Sequence, residues 1–480
     1  GWYRKSFTVS PYWEDKVVTI DFGGVYMDSE VYLNGTKLGE HHYGYTPFSF
    51  VLPSDLLDYS GENVIAVRCD NPVPSSRWYS GSGIYRSVHL TVSDPVHVAR
   101  YGTKVETTNS GSVTVKTNVE NSGSAAANVT VKQEIFKLNG TTFEKEGAAV
   151  ATDTSSATNV SGKGTGTVTQ SLTVSSPALW NSWDQGTPNL YVLVTSVMVG
   201  SQVMDTYETE FGFREINFDV NVGFQLNGKN VKLKGVCQHH DQGALGSEAW
   251  YRALERQVEI LMDMGVNSIR VTHNPAADEL IEICNRKGML LIDEIFDGWA
   301  RPKNGNSGDF SRWFNRTLGA GNALVGGESS MKWQQFVTET VINRDKNAPC
   351  MIMYSICNEV QEGSGTDGNY ATYAREIIGW IQAIDRTRPV TRGDNSRTTG
   401  STGEQGEINQ AIHNAGGVVG FNYFGEGALT TGHNNGWRMY GSETASHVNS
   451  RGIYNIKGSQ ALNSKKRLTS YDKSAVGWGA

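Results

Sequence analysis

The chain has 480 residues, 38% hydrophobic and 19% charged, with a net charge of −7. That length exceeds what one hydrophobic core fills, so two to four domains are expected. No block of Lys and Arg exists to suit nucleic acid or an anionic membrane, and no run of roughly 18 apolar residues could cross a bilayer. The five cysteines (69, 237, 284, 350, 357) sit partly in apolar runs such as PCMIMYSIC. They read as buried free thiols, not as a disulfide frame or a CxxC metal site. The opening GWYRK has neither Met nor a leader-like segment, which reads as a trimmed start and leaves the compartment open.

Residues 1–94 alternate apolar and polar side chains with period two, as in KVVTIDF, SEVYLNGTKLGEH and ENVIAVRC. Asn34-Gly35 after such a strand predicts a type I′ hairpin turn, and the region reads as a β-sandwich. Over 95–214 the composition shifts to Ser, Thr, Gly, Asn and Val, with short strands between turn signals, which suggests an immunoglobulin-like sandwich. Its low-complexity piece TDTSSATNVSGKGTGTV is expected to be a loop within that sandwich.

From 215 onward apolar strands alternate with amphipathic helices. NVKLKGVCQ, VNSIRVTH, MLLIDEIF, CMIMYSICNE, RPVTRGD, GVVGFNYF and WRMYGSE read as strands. WYRALERQVEILMDMG, ADELIEICNRKG, a stretch from Ser330 to Lys346, YATYAREIIGWIQAID and a short piece around Ile408 to Ile412 read as helices. This pattern predicts parallel strands covered by helices, a β/α barrel, with a doubly wound sheet as the alternative. Such a barrel needs eight strands, and the sequence carries signals for seven. LNSKKRLTSYDKSAVGWGA is too polar and turn-rich to supply another, so the expectation is a barrel truncated before its eighth strand.

Each strand ends in polar residues: His239-His240-Asp241, His273-Asn274, Asp293-Glu294, Asn358-Glu359, Asp394-Asn395, Asn422-Tyr423 and Glu443. A lone acid at a strand end is ordinary surface. In a β/α barrel, however, those ends converge on the one face where active sites of this fold are built. Glu359 and Glu443 would then face a shared pocket, the arrangement glycosidic cleavage requires. Glu294 could equally brace the barrel by hydrogen bonds. Adjacent His239 and His240 would point to opposite faces, which argues against a zinc pair. The long IFDGWARPKNGNSGDFSRWF segment is either a sugar-stacking loop or a lid packed on the sandwich domains.

SSRWYSGSGIYRSV, RVTHNPAADELIEICNRKGMLLIDEIFDGW, NRDKNAPCMIMYSICNEV and GSETASHVNSRGIY resemble glycoside hydrolase family 2, most closely its bacterial β-galactosidase branch. The likeness covers nearly the whole chain. It implies a sugar-binding-like jelly roll (1–94), an immunoglobulin-like sandwich (95–214) and a catalytic barrel (215–480). Also implied are Glu359 as general acid/base, Glu443 as nucleophile and Asn358 on the sugar 2-hydroxyl, with His273 and Tyr423 in support and Asp394 and Arg77 as galactose contacts. No cofactor is expected: the magnesium-binding His that some family members carry after DE is missing from DEIFDGW. The expected partner is a β-galactoside, without nucleic acid or membrane insertion, in a bacterial cytoplasmic or exported protein. Oligomeric state stays open, a homo-oligomer included. Rivals are the same fold acting on glucuronides, galacturonides or mannosides, and a non-catalytic carbohydrate-binding protein.

Overall fold

The computed structural model describes residues 1–76, 78, 81–360, 368–396, 403–423 and 426–444. The first region is built on two facing antiparallel sheets, beside a two-stranded antiparallel pair, Val25–Tyr26 with Gly83–Ile84. One orders Trp2–Phe7, Asn63–Cys69, Ser29–Leu33 and Thr36–His41; the other orders Phe48–Leu52, Val17–Phe22 and Val88–Ser93. Their facing sides bury Val18, Ile20, Phe22, Val31, Leu33, Phe48 and Val67, with Phe22 stacked on Phe48 at 5.0 Å. The hairpin turns at Asn34 (φ 48°) and Gly35 (φ 86°), with Leu33 paired to Thr36. Two successive positive φ values are what a type I′ turn demands.

A second sandwich follows. Val96–Thr107, Ser112–Asn121 and Gly164–Thr173 form one sheet, and Lys145–Thr154, Ala127–Leu138, Tyr191–Val199 and Gln202–Phe211 the other, with Thr158–Val160 paired alongside. The low-complexity piece is therefore largely strand, not loop. Its Val160 and Val168 are buried, as are Gln170 and Leu172 just beyond, so period-two burial overrides the weak propensity of Gly and Ser. A short meander of Ile216–Asp219, Gly223–Leu226 and Lys229–Asn230 then leads into the barrel, so the strand expected over NVKLKGVCQ is split.

Seven parallel strands follow in sequence order among the described residues: β1 (Gly235–Gln238), β2 (Ser268–Val271), β3 (Leu290–Glu294), β4 (Met351–Asn358), β5 (Val390–Asp394), β6 (Val419–Asn422) and β7 (Met439–Glu443). Helices α1 (Tyr251–Asp263), α2 (Asp278–Lys287), α3 (Trp333–Asp345), α4 (Tyr370–Ile384), α5 (Gly403–Asn414) and α6 (Glu426–Asn434) alternate with them, and a short turn of helix, Ser311–Phe314, precedes α3. Strands β2, β3, β4, β5 and β6 are buried throughout, as a sheet covered on both faces requires. The sheet curls until the β7 carbonyl of Ser442 lies 3.4 Å from the Cys237 sulfur on β1. Four of the free thiols are buried, but Cys237 is exposed. The expectation about an eighth strand concerns residues after 444, outside those described. Helix α2 stops as its sequence predicts, at left-handed Gly288 (φ 73°), whose N–H returns to the Cys284 carbonyl. No helix among the described residues is long and apolar enough to cross a membrane.

Candidate active site

The site is organised around a residue from the middle of a strand. Arg270 in β2 is 3% exposed, and a guanidinium at that depth requires carboxylate partners. Its Nε and Nη2 donate to Glu294 Oε2 at 3.1 and 2.5 Å, its Nη1 to Glu443 Oε1 at 2.8 Å, and its Nη2 also to Asn358 Oδ1 at 3.1 Å. Residues from β2, β3, β4 and β7 thereby meet on one cation. Glu294 closes the back of the cluster, accepting from Ser355 Oγ and pairing with His273 Nδ1, both at 2.6 Å. The other ring nitrogen of His273 lies 3.8 Å from Glu443 Oε1 and 3.4 Å from the Asn358 amide.

Glu443 ends β7, and its second oxygen accepts the Tyr423 hydroxyl. Burial would raise this carboxyl, but Arg270, His273 and Tyr423 together outweigh it and hold it at about 2. Burial likewise opposes ionisation of Glu294, and Arg270 and His273 again prevail, lowering it. Both are carboxylates at neutral pH.

Glu359 follows β4 with a left-handed backbone, φ 43°, and is 5% exposed. Its N–H donates to the Gly393 carbonyl at 2.8 Å, and its Oε1 accepts from the Asn422 amide at 2.7 Å. The same amide lies 3.0 Å from Asn358 Oδ1, while Asn422 Oδ1 accepts from Ser442 Oγ at 2.6 Å. Asn422 on β6 thus ties the end of β4 to β7. Position 393 must be glycine: a Cβ there would sit 2.6 Å from Arg270 Nη2 and 2.7 Å from Asn358 Oδ1.

Residues 220–414 match the description "Glycosyl hydrolases family 2, TIM barrel domain", and residues 96–214 match "Glycosyl hydrolases family 2". The chain belongs to glycoside hydrolase family 2. Residues 1–73 match "Beta-galactosidase second all-beta domain". A β-galactosidase of Bacteroides ovatus is 38% identical over 431 residues, 84% of this chain and 48% of that protein. A β-glucuronidase of Bacteroides fragilis is 28% identical over 414 residues, 82% of this chain and 54% of that protein. The fold superposes on a family 2 member from Bacteroides cellulosilyticus with a TM-score of 0.80 at 31% identity, covering 92% of this chain and 52% of that one. The chain therefore spans about half the length of the curated relatives it matches.

Of the residues singled out in the sequence, Asn358, Glu359, His273, Tyr423 and Glu443 meet in this one family 2 cluster. Asp394 does not join them. Gly393 faces inward, so its neighbours on β5 face the helices. There the Asp394 carboxylate pairs with Arg392 at 2.8 Å and accepts from Asn409 of α5 at 2.9 Å and from the Ser396 N–H at 2.8 Å. Its expected role as a galactose contact gives way to that of a strand–helix tie. Arg77 lies outside the described residues. Beside it, Trp78 of the first sandwich carries its ring to 3.9 Å from His239 and 5.5 Å from His273, so that sandwich does border the site. The two adjacent histidines diverge as expected, His240 turning to Tyr45 and to the Asn274 carbonyl at 3.1 Å.

The depressed Glu443 carboxyl has a consequence for acid stability. A carboxyl taken from 4.5 to about 2 on folding stabilises the fold fully above its unfolded value and loses that contribution as pH falls toward 2. Each unit is worth about 1.4 kcal/mol. The melting temperature of the wild type should therefore fall more steeply between about pH 5 and about pH 3 than that of Glu443→Gln. Parallel curves would contradict the pairing.

Proposed function

We propose that the protein is a retaining, exo-acting β-galactosidase. The observation that carries this reading is that two strand-end carboxylates meet in one cluster: Asn422 and Asn358 link Glu359 to the Arg270 that holds Glu443. Glu443 is held anionic between a guanidinium and a phenol, ready to attack the anomeric carbon. Glu359 accepts from the Asn422 amide, and in this reading it carries the proton that the leaving oxygen takes. In the first step Glu443 bonds to the anomeric carbon while Glu359 gives its proton to the departing oxygen. Bond formation removes the charge on Glu443, so Glu359, now a carboxylate, can take a proton from the water that releases the sugar with retained configuration. Asn358, anchored by Arg270 and Asn422, would present its amide to the sugar 2-hydroxyl, and His273 would line the same side.

The likeness to the B. ovatus β-galactosidase supports galactose as the sugar; the likeness to the B. fragilis β-glucuronidase supports a second reading, a glucuronide. A panel of nitrophenyl glycosides separates them. We expect kcat/KM on the galactoside to exceed that on the glucuronide by about a hundredfold, the upper end of the roughly 1–3 kcal/mol that a buried polar group left unpaired costs. The reverse order would replace galactose by glucuronic acid, and no turnover of any member would favour a carbohydrate-binding protein.

The acid/base role has its own signature. Acid assistance is worth about 10²–10⁴-fold and matters most for poor leaving groups. Glu359→Ala should lose that much in kcat/KM on lactose yet only a few-fold on 2,4-dinitrophenyl galactoside. Equal losses on the two substrates would make Glu359 a structural residue.

A further inference from the structure

The segment between β3 and α3 was expected to be a sugar platform or a lid. One of its side chains does something more specific. Lys303 is 4% exposed, and its ammonium donates to the Asn358 carbonyl at 2.7 Å and to the Asp297 carboxylate at 2.8 Å. The lysine is itself fixed in place: its N–H donates to Asp309 at 3.1 Å and its carbonyl accepts from the Asn306 amide at 2.8 Å.

The Asn358 carbonyl belongs to the peptide that leads into Glu359. At the other end of that peptide plane, the Glu359 N–H donates to the Gly393 carbonyl at 2.8 Å. A left-handed backbone (φ 43° here) is uncommon for a residue other than glycine and persists only where its surroundings fix it. These two bonds clamp the plane from opposite sides, one from β5 and one from Lys303.

The clamp also reaches the first sandwich. The Gly308 N–H donates to the Pro74 carbonyl at 2.9 Å, and a Cβ at Gly308 would lie 2.0 Å from the Pro72 carbonyl oxygen. Tyr43 likewise donates to the carbonyl of Ile295 at 2.6 Å. The first sandwich thereby braces the segment that carries the lysine.

We propose that Lys303 is a positioning residue for Glu359: by holding the Asn358 carbonyl it sets the peptide that aims the acid/base carboxyl at the leaving oxygen. This rests on the reading of Glu359 given above. The ammonium's bonds go to Asp297 and the Asn358 carbonyl and not to Glu443, so its loss should misdirect proton delivery without disturbing the nucleophile.

The test compares kcat/KM, which reports formation of the glycosyl-enzyme, for phenyl and 2,4-dinitrophenyl β-galactosides across the wild type, Lys303→Met, Lys303→Arg and Glu359→Ala. Lys303→Met should lose about tenfold or more on the phenyl substrate, part of the ~10²–10⁴ that acid assistance supplies, and less than about threefold on the dinitrophenyl one. Lys303→Arg, which keeps a cationic donor, should recover most of the loss. Equal loss on both substrates, or full activity of Lys303→Met on both, overturns the proposal. Should Glu359→Ala show no such selectivity, the reading of Glu359 fails first, and that result is distinct. If Lys303→Met does not melt cooperatively, Asp297→Asn, which keeps the lysine but loosens its other anchor, takes its place: selective loss supports the clamp and unselective or absent loss overturns it.

Discussion

Glu443→Gln should lower kcat by at least about three orders of magnitude on every substrate the wild type cleaves, because on the proposed mechanism it removes the atom that forms the covalent intermediate. The amide keeps the shape and can still meet Tyr423 and Arg270, so the variant should fold. Leaving-group quality should not rescue it, which separates this loss from that of Glu359→Ala. In Glu443→Gly, which opens space beside the anomeric carbon, azide should restore part of the turnover of an activated aryl galactoside. Glu359 would still protonate the departing oxygen, and the product would be the glycosyl azide of inverted configuration. Turnover within about tenfold of wild type would remove Glu443 from the nucleophile's role.

Arg270→Met is expected to have the next largest effect, on stability as well as rate. The guanidinium compensates two carboxylates whose side chains are 0% and 11% exposed. Removing one member of such a cluster strands the others, at a cost of about 3–5 kcal/mol. For a barrel of this size that corresponds to a fall in melting temperature on the order of 10 °C. Activity should vanish with it, since Glu443 would lose the charge that keeps it ionised and its fixed position. Adding Glu294→Gln to Arg270→Met removes one stranded charge and should return part of the stability but none of the activity. A single Arg270→Met variant that melts within a degree or two of wild type would mean the cluster is not held by this cation.

The barrel was legible because its strands are apolar along their length and polar at their ends, a pattern that depends on local sequence alone. The same pattern found Asn358, Glu359, Tyr423 and Glu443, each at or just past the last residue of a strand. Arg270 escaped because it lies inside the run S-I-R-V, where an isolated charge is easily passed over. The available signal was that a parallel strand buried on both faces can hold an arginine only against acids from neighbouring strands. Asp394 misled for the opposite reason: strand-end position does not say which face a side chain takes, and one residue of offset sent it to the helix layer.

Helix α5 was expected only around Ile408 to Ile412 but runs from Gly403 to Asn414. Its first turn is too glycine-rich to be helical on propensity. Tertiary bonds support it: Arg392 donates to Gln405 Oε1 and Asn409 Oδ1, both at 2.7 Å, and Glu404 accepts the Tyr370 N–H at 2.7 Å. Lys303 had no sequence signal at all, since its partner is a main-chain carbonyl 55 residues away.

On the proposed mechanism Glu443 becomes covalently bound to the sugar. Incubating the protein with 2,4-dinitrophenyl 2-deoxy-2-fluoro-β-galactoside, whose fluorine slows both steps and whose good leaving group spares the first, should trap that intermediate. Mass spectrometry of the intact chain should then show one added fluorogalactosyl group, and peptide mapping should place it on Glu443. Label on Glu359 or Glu294 instead, or turnover of the wild type with no trapped adduct, would contradict the mechanism.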